Sequence, residues 1–198
     1  MSRSTLFIPL LGVMLGCADP IGSNDHPDAT PLPDEDITPT GKVTTVTRDD
    51  SFKTLINATS ATDWIYVNFH DGSEAQETGA WELRFQRFHV STNGGVSGSA
   101  GVQVAAVSDV PFAAMTKAPD IDYLEDAADD DDEDTIPEYA LDQGTGWYDY
   151  DDMTHVLTPF PLVWAVKAPN GTSFKFEILK YYDTAGTSGW MTLHWAPL

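Results

Sequence analysis

Beyond Asp19 the sequence has no sustained helical repeat of apolar residues, and short β-branched and aromatic runs divided by turn residues take its place. Val43 to Thr47 is β-branched, and Trp64 to Phe69 is an apolar run closed by His70-Asp71-Gly72. Trp81 to Val90 is the longest strand-like stretch. Its apolar parity passes from Trp81, Leu83 and Phe85 to Phe88 and Val90, which predicts a bulge near Gln86. Gly101 to Val107, Leu162 to Lys167, Ser173 to Tyr182 and Trp190 to Trp195 complete the set. Pro169-Asn170-Gly171 predicts a hairpin, and Ala185 to Gly189 joins the last two strands. Such a chain is expected to be all-β, with antiparallel sheets and little helix.

The N-terminus reads as an address. Arg3 supplies a positive start, and Leu6 to Leu15 is apolar but too short to span a bilayer. Met14-Leu15-Gly16-Cys17 has the form of a bacterial lipoprotein signal, so residues 1–16 are expected to be removed and Cys17 lipidated. Ala18 rather than Asp follows Cys17, so retention at the inner membrane is not indicated. Residues 17–41 are rich in Pro and acid and poor in large apolar groups, which predicts a tether. The β domain is expected over 42–198. Cys17 is the only Cys, which excludes internal disulfides and Cys-rich zinc sites.

Charge narrows the partners. The chain has 31 Asp+Glu against 10 Lys+Arg, for a net charge of −21, which argues against nucleic acid as a partner. Fifteen of the acids lie between Asp120 and Asp152. A solvated, extruded loop is expected at about 119–142, since like charges in series resist packing. Calcium is a second reading of this run, with Asp129, Asp131 and Glu133 as candidate ligands, although no EF-hand spacing is present. There is no Gly-x-Ser-x-Gly, no Cys nucleophile in the mature fold and no HExxH, so the chain is read as a non-enzyme.

Two stretches carry a family likeness. Trp81-Glu82-Leu83-Arg84-Phe85-Gln86-Arg87-Phe88-His89-Val90-Ser91-Thr92-Asn93-Gly94-Gly95, continuing to Ser97-Gly98, resembles the core motif of the HmuY family of bacterial haem-binding lipoproteins. Gly146-Trp147-Tyr148, Val163-Trp164-Ala165-Val166 and Tyr181-Tyr182-Asp183 to Gly189-Trp190-Met191-Thr192 resemble its C-terminal hairpins. The resemblance implies an all-β surface lipoprotein of the cell envelope, held at the outer membrane by its lipid. It also implies capture of extracellular haem or porphyrin and its transfer to an outer-membrane haem receptor, with two side chains clamping the iron.

The resemblance places one ligand just after Trp147, where Asp151, Asp152, Met153 and His155 lie. It places the other between Ala118 and Gln143, where Tyr123 and Tyr139 are the conceivable iron ligands, with Met115 just upstream. The haem-binding candidates are therefore His155, Met153, Met115 and Tyr139. A hairpin His without a metal is the local alternative for His155. At the level of function the alternative is an HmuY-like scaffold without haem, acting as an acidic calcium-binding or adhesion module. Arg87 is read either as a propionate partner or as a half-buried Arg paired with a carboxylate. His70 and His89 are read as surface residues. His194 is expected on the strand face opposite Met191, Leu193 and Trp195.

Overall fold

The computed structural model describes residues 37–129, 135–169 and 171–198. The signal at 1–16, Cys17, most of the tether, Asp131, Glu133 and Asn170 lie outside the described residues. The described chain is nearly all strand: β1 (Val43–Arg48), β2 (Ser51–Asn57), β3 (Ile65–Asn68), β4 (Ser73–Ala75), β5 (Leu83–Gln86), β6 (His89–Thr92), β7 (Gln103–Val107), β8 (Tyr148–Asp151), β9 (Val156–Pro159), β10 (Val163–Lys167), β11 (Ser173–Tyr182) and β12 (Ser188–Pro197). One 3-10 turn, Phe112–Ala114, is the helical content among the described residues.

Every strand pairing is antiparallel. A six-stranded sheet runs β1-β2-β12-β11-β10-β7, a four-stranded sheet runs β4-β3-β5-β6, and β8-β9 is a separate ribbon. The alternation of side chains explains the stacking. Phe174, Phe176, Met191, Leu193 and Trp195 point inward from β11 and β12, to meet Ile65, Val67, Leu83, Phe85 and Val90 of the smaller sheet in one core. Phe69 is wedged at the seam, stacked on Phe174 at 4.6 Å between centroids and edge-on to Trp195 at 5.2 Å. Each fully buried large apolar side chain contributes about 1.5–3 kcal/mol.

The outer face of the large sheet carries a second core. Trp164 and Val166 of β10 face inward, so their neighbours Val163 and Ala165 face outward, where they pack with Met115. The segment around Phe112–Ala114 straps this face. Lys175 Nζ donates to the carbonyls of Phe112 (2.5 Å) and Met115 (2.8 Å). His194 lies on the face expected for it, yet it is buried rather than exposed. Its ring stacks on Phe112 at 3.7 Å, and its two nitrogens meet Glu177 Oε1 (2.7 Å) and Ser51 Oγ (2.9 Å).

Two expectations are corrected. The parity change after Gln86 is a two-residue turn, not a bulge: Gln86 pairs with His89, and Arg87 turns the chain at φ 53°. The acidic segment is not simply extruded. Leu124 bridges Val104, Ala127 bridges Glu138, and Asp126 is only 2% exposed. Asp126 accepts from Ser91 Oγ (2.7 Å), Thr92 N (3.0 Å), Thr92 Oγ1 (3.0 Å) and Ala140 N (2.9 Å), which satisfies a buried carboxylate without a cation. The Gly94-Gly95 pair makes this approach feasible. A Cβ on Gly95, itself at φ +57°, would overlap the Asp126 carbonyl oxygen, and one on Gly94 would overlap that of Val102.

Candidate functional site

The candidate ligands separate into three places. Met153 and His155 sit at the tip of the β8-β9 ribbon, and Met153 is 89% exposed. Asp151 Oδ1 holds the tip by accepting from the backbone of Met153 (2.8 Å) and Thr154 (3.1 Å). These bonds hold the Asp151 carboxyl below its ordinary value. His155 takes a left-handed backbone, φ 57°, which His tolerates better than β-branched residues do. Its Nδ1 meets Tyr150 OH at 2.8 Å.

Met115 is buried in the outer-face core of the large sheet. Tyr123 packs beside it, with Lys167 Nζ 3.7 Å above its ring and its hydroxyl donating to the Pro119 carbonyl. The structure thus does not bring Met115 or Tyr123 together with His155. Tyr139 lies elsewhere, 6% exposed, edge-on to Trp64 at 5.7 Å and to His89 at 5.4 Å.

That last contact marks a cluster that sequence reasoning missed. The β5-β6 turn places Phe88 and His89 against the root of the ribbon. Trp147 Nε1 donates to the Phe88 carbonyl at 3.1 Å, and the Phe88 ring meets Tyr148 at 6.0 Å. Paired residues of an antiparallel ribbon share a face, so Tyr148, Tyr150, Leu157 and Pro159 point one way. Leu157 on that face joins the main core, and its N–H donates to Tyr182 OH at 2.9 Å. An aromatic path in two parts therefore follows the ribbon: Tyr139, His89, Phe88 and Tyr148 in contact at the root, and Tyr150 with His155 at the tip, Tyr148 and Tyr150 sharing a face.

The electrostatics of the path are acidic. Asp142 faces His89 with 4.0 Å between Oδ2 and Nδ1. Burial pushes the Asp142 carboxyl above its ordinary value, and the neighbouring His89 imidazole pulls against that rise. Burial likewise raises the Tyr148 phenol, helped by the Asp142 charge. The sequence signal for His89 is slight: a polar residue at a strand start beside Phe88. Arg87 is engaged away from the path, donating to the Thr59 carbonyl (3.3 Å) and Ser188 Oγ (3.1 Å), so the carboxylate partner expected for it is replaced by neutral acceptors.

No group of three or more His, Cys, Asp or Glu side chains gathers to hold a metal among the described residues, which include Asp129. A cavity of about 220 Å³ opens on the outer face of β2, β11 and β12, lined by Lys53, Leu55, Lys180, Tyr182 and Trp190 among others. It lies below the roughly 300–1,000 Å³ typical of drug-sized ligands and holds no His or Met. No described helix is long and apolar enough to cross a membrane.

The chain matches the family model described as HmuY protein over residues 60–195. Among solved structures, it resembles a Bacteroides fragilis protein named as a lipoprotein (TM-score 0.61, 19% identity, 76% of this chain and 91% of the other). A Bacteroides vulgatus protein named as HmuY-like and haem-binding aligns with TM-score 0.59 and 22% identity, over 74% and 91% of the two chains. The apo form of an HmuY analogue from Tannerella forsythia aligns with TM-score 0.59 and 16% identity, over 77% and 95%. At such identities the likeness speaks for the fold. No protein of curated function matches the sequence.

Proposed function

The chain belongs to the HmuY family, and on that premise we propose that it is a cell-surface lipoprotein that captures extracellular haem or a related porphyrin. The observation that carries the reading is the aromatic path along the β8-β9 ribbon, with His89, Phe88 and Tyr148 in contact at its root and Tyr150 and His155 paired at its tip. Flat aromatic faces suit a porphyrin plane, and His, Met and Tyr are axial ligands for its iron.

The residues present fit such a ligand. Met153 and His155 stand exposed at the tip, and Tyr139 flanks the root. An orphaned imidazole nitrogen at the root, His89 Nδ1, belongs to a side chain that is still 21% exposed. When bound, haem supplies the iron. The chain would supply ring faces and ligands. Asp142 stands at the root of this side, while Asp149 and Asp151 alternate to the opposite face of the ribbon, so the propionates of a bound haem would be directed away from Asp142, to solvent or to a partner's cations. Cys17 supplies the lipid anchor, and an outer-membrane haem receptor takes the cargo.

Hemin titrated into the purified chain is expected to give a Soret shift that saturates at one equivalent. No spectral change at micromolar hemin sinks the reading and leaves the acidic scaffold without haem.

A further inference from the structure

His89 lies in neither segment where the family likeness places an iron ligand. It nevertheless has the surroundings of one. Its ring is held from two sides, tilted on Phe88 at 4.2 Å and edge-on to Tyr139 at 5.4 Å. Nδ1 is buried and makes no hydrogen bond, while Asp142 Oδ2 faces it across 4.0 Å. The partner oxygen, Asp142 Oδ1, is also buried and without a hydrogen bond. The His89 side chain is still 21% exposed, and of its two nitrogens only Nδ1 is both buried and unpartnered.

A carboxylate beside Nδ1 favours the tautomer with its proton on Nδ1, directed at Asp142. That leaves the free lone pair on Nε2. Metal-ligating histidines are held in this way, with a carboxylate behind the ring fixing tautomer and orientation and raising the basicity of the free nitrogen. A small closing movement would bring Nδ1 and Oδ2 from 4.0 Å into hydrogen-bond range and give the orphaned Nδ1 a partner. His155 differs: it is exposed, and its Nδ1 meets a neutral phenol, that of Tyr150.

We infer that His89 is an axial ligand of haem iron through Nε2, with Asp142 as its positioning residue. The inference rests on the haem-binding reading and names a ligand that the reading lacks.

The full chain, with His89→Ala, His89→Met, Asp142→Asn and the surface control His70→Ala, is titrated with hemin and followed by absorption and electron paramagnetic resonance. His89→Ala is expected to lose one nitrogen ligand from the low-spin signal, and added imidazole restores it. His89→Met retains ligation with a sulfur signature. Asp142→Asn keeps the ligand but weakens hemin binding by about 10- to 100-fold. His70→Ala matches the parent. An unchanged signal in His89→Ala, with near-UV circular dichroism intact, overturns the assignment while haem binding stands. Failure of the parent to take up hemin overturns both.

Discussion

The hydroxyl of Ser91 and the carboxylate of Asp126 meet at 2.7 Å across 35 residues of chain. Arg84 Nε donates to the same hydroxyl at 3.0 Å, and its guanidinium lies 4.4 Å over the Trp64 ring. One carboxylate therefore ties β6 to both legs of the acidic segment.

Asp126→Ala is expected to leave four buried donors without an acceptor. At about 1–3 kcal/mol for each orphaned group, partly relieved by water, the loss is about 3–5 kcal/mol. The melting temperature should fall by roughly 6–20 °C, since about 2–4 °C accompanies each kcal/mol in a chain of this size. A calorimetric scan within 2 °C of the parent, a margin of roughly one kcal/mol or less, would mean that the clamp is idle.

Two glycines with positive φ should respond differently to alanine. Gly95→Ala forces a Cβ into the Asp126 backbone and is expected to cost more than about 3 kcal/mol. Gly186→Ala meets nothing within 4 Å, so its cost is the left-handed backbone alone, about 1–2 kcal/mol. Equal chemical denaturation midpoints for the two variants would contradict the close approach.

Lys175 is 7% exposed and binds two carbonyls of the outer strap. Burial lowers its ammonium below the ordinary lysine value. Lys175→Met removes both charge-assisted bonds but also a desolvated charge, so a net loss of about 1–3 kcal/mol is expected. The local effect should be clearer. Hydrogen exchange at the Met115 amide, bonded to the Phe112 carbonyl at 3.3 Å, should accelerate while the β11-β12 amides keep their order of protection. Uniform acceleration would show that Lys175 supports the whole fold instead.

Asp142 sets a pH dependence. Burial raises its carboxyl above 3.8, so the folded chain holds that proton more tightly than the unfolded one. The stability this contributes is complete below the unfolded value and is lost as pH rises through the folded one. Asp142→Asn removes the dependence. The variant should therefore gain on the parent as pH rises from about 4 toward neutrality. Melting temperatures of the two chains that run parallel over this range would refute the assignment.

Regular alternation made much of the fold legible. Ser173 to Tyr182 reads as a strand and is one, with the turn after it. The β5-β6 turn escaped because Arg87 adopts a left-handed backbone that no Gly or Asn announces. β2 escaped because polar Thr54, whose hydroxyl accepts from the Trp195 indole, interrupts the inward pair Phe52 and Ile56, while apolar Leu55 stands on the outer face. Asp126 reads as one acid among many, because the donors that bury it lie 34 and 35 positions away. For the site, the ribbon tip with Met153 and His155 was visible. The side of the sheet covered by the Met115 segment was not, since a connection of that length can fold to either face. His89 could not be weighed without Asp142, which is distant in sequence and adjacent in space.

The ribbon that carries half of the candidate site is the least self-sufficient of the described sheets. Two strands alone are marginally stable, so β8-β9 depends on Leu157 in the core, the Tyr182 hydroxyl and the Trp147 indole to stay seated. Ligand affinity is then divided between chemistry and occupancy. If the ribbon is seated only a fraction of the time, the apparent dissociation constant rises by the inverse of that fraction. A substitution such as Tyr182→Phe, which touches none of the candidate iron ligands, would register as weaker capture, and a ligand spanning tip and root would in turn hold the ribbon shut.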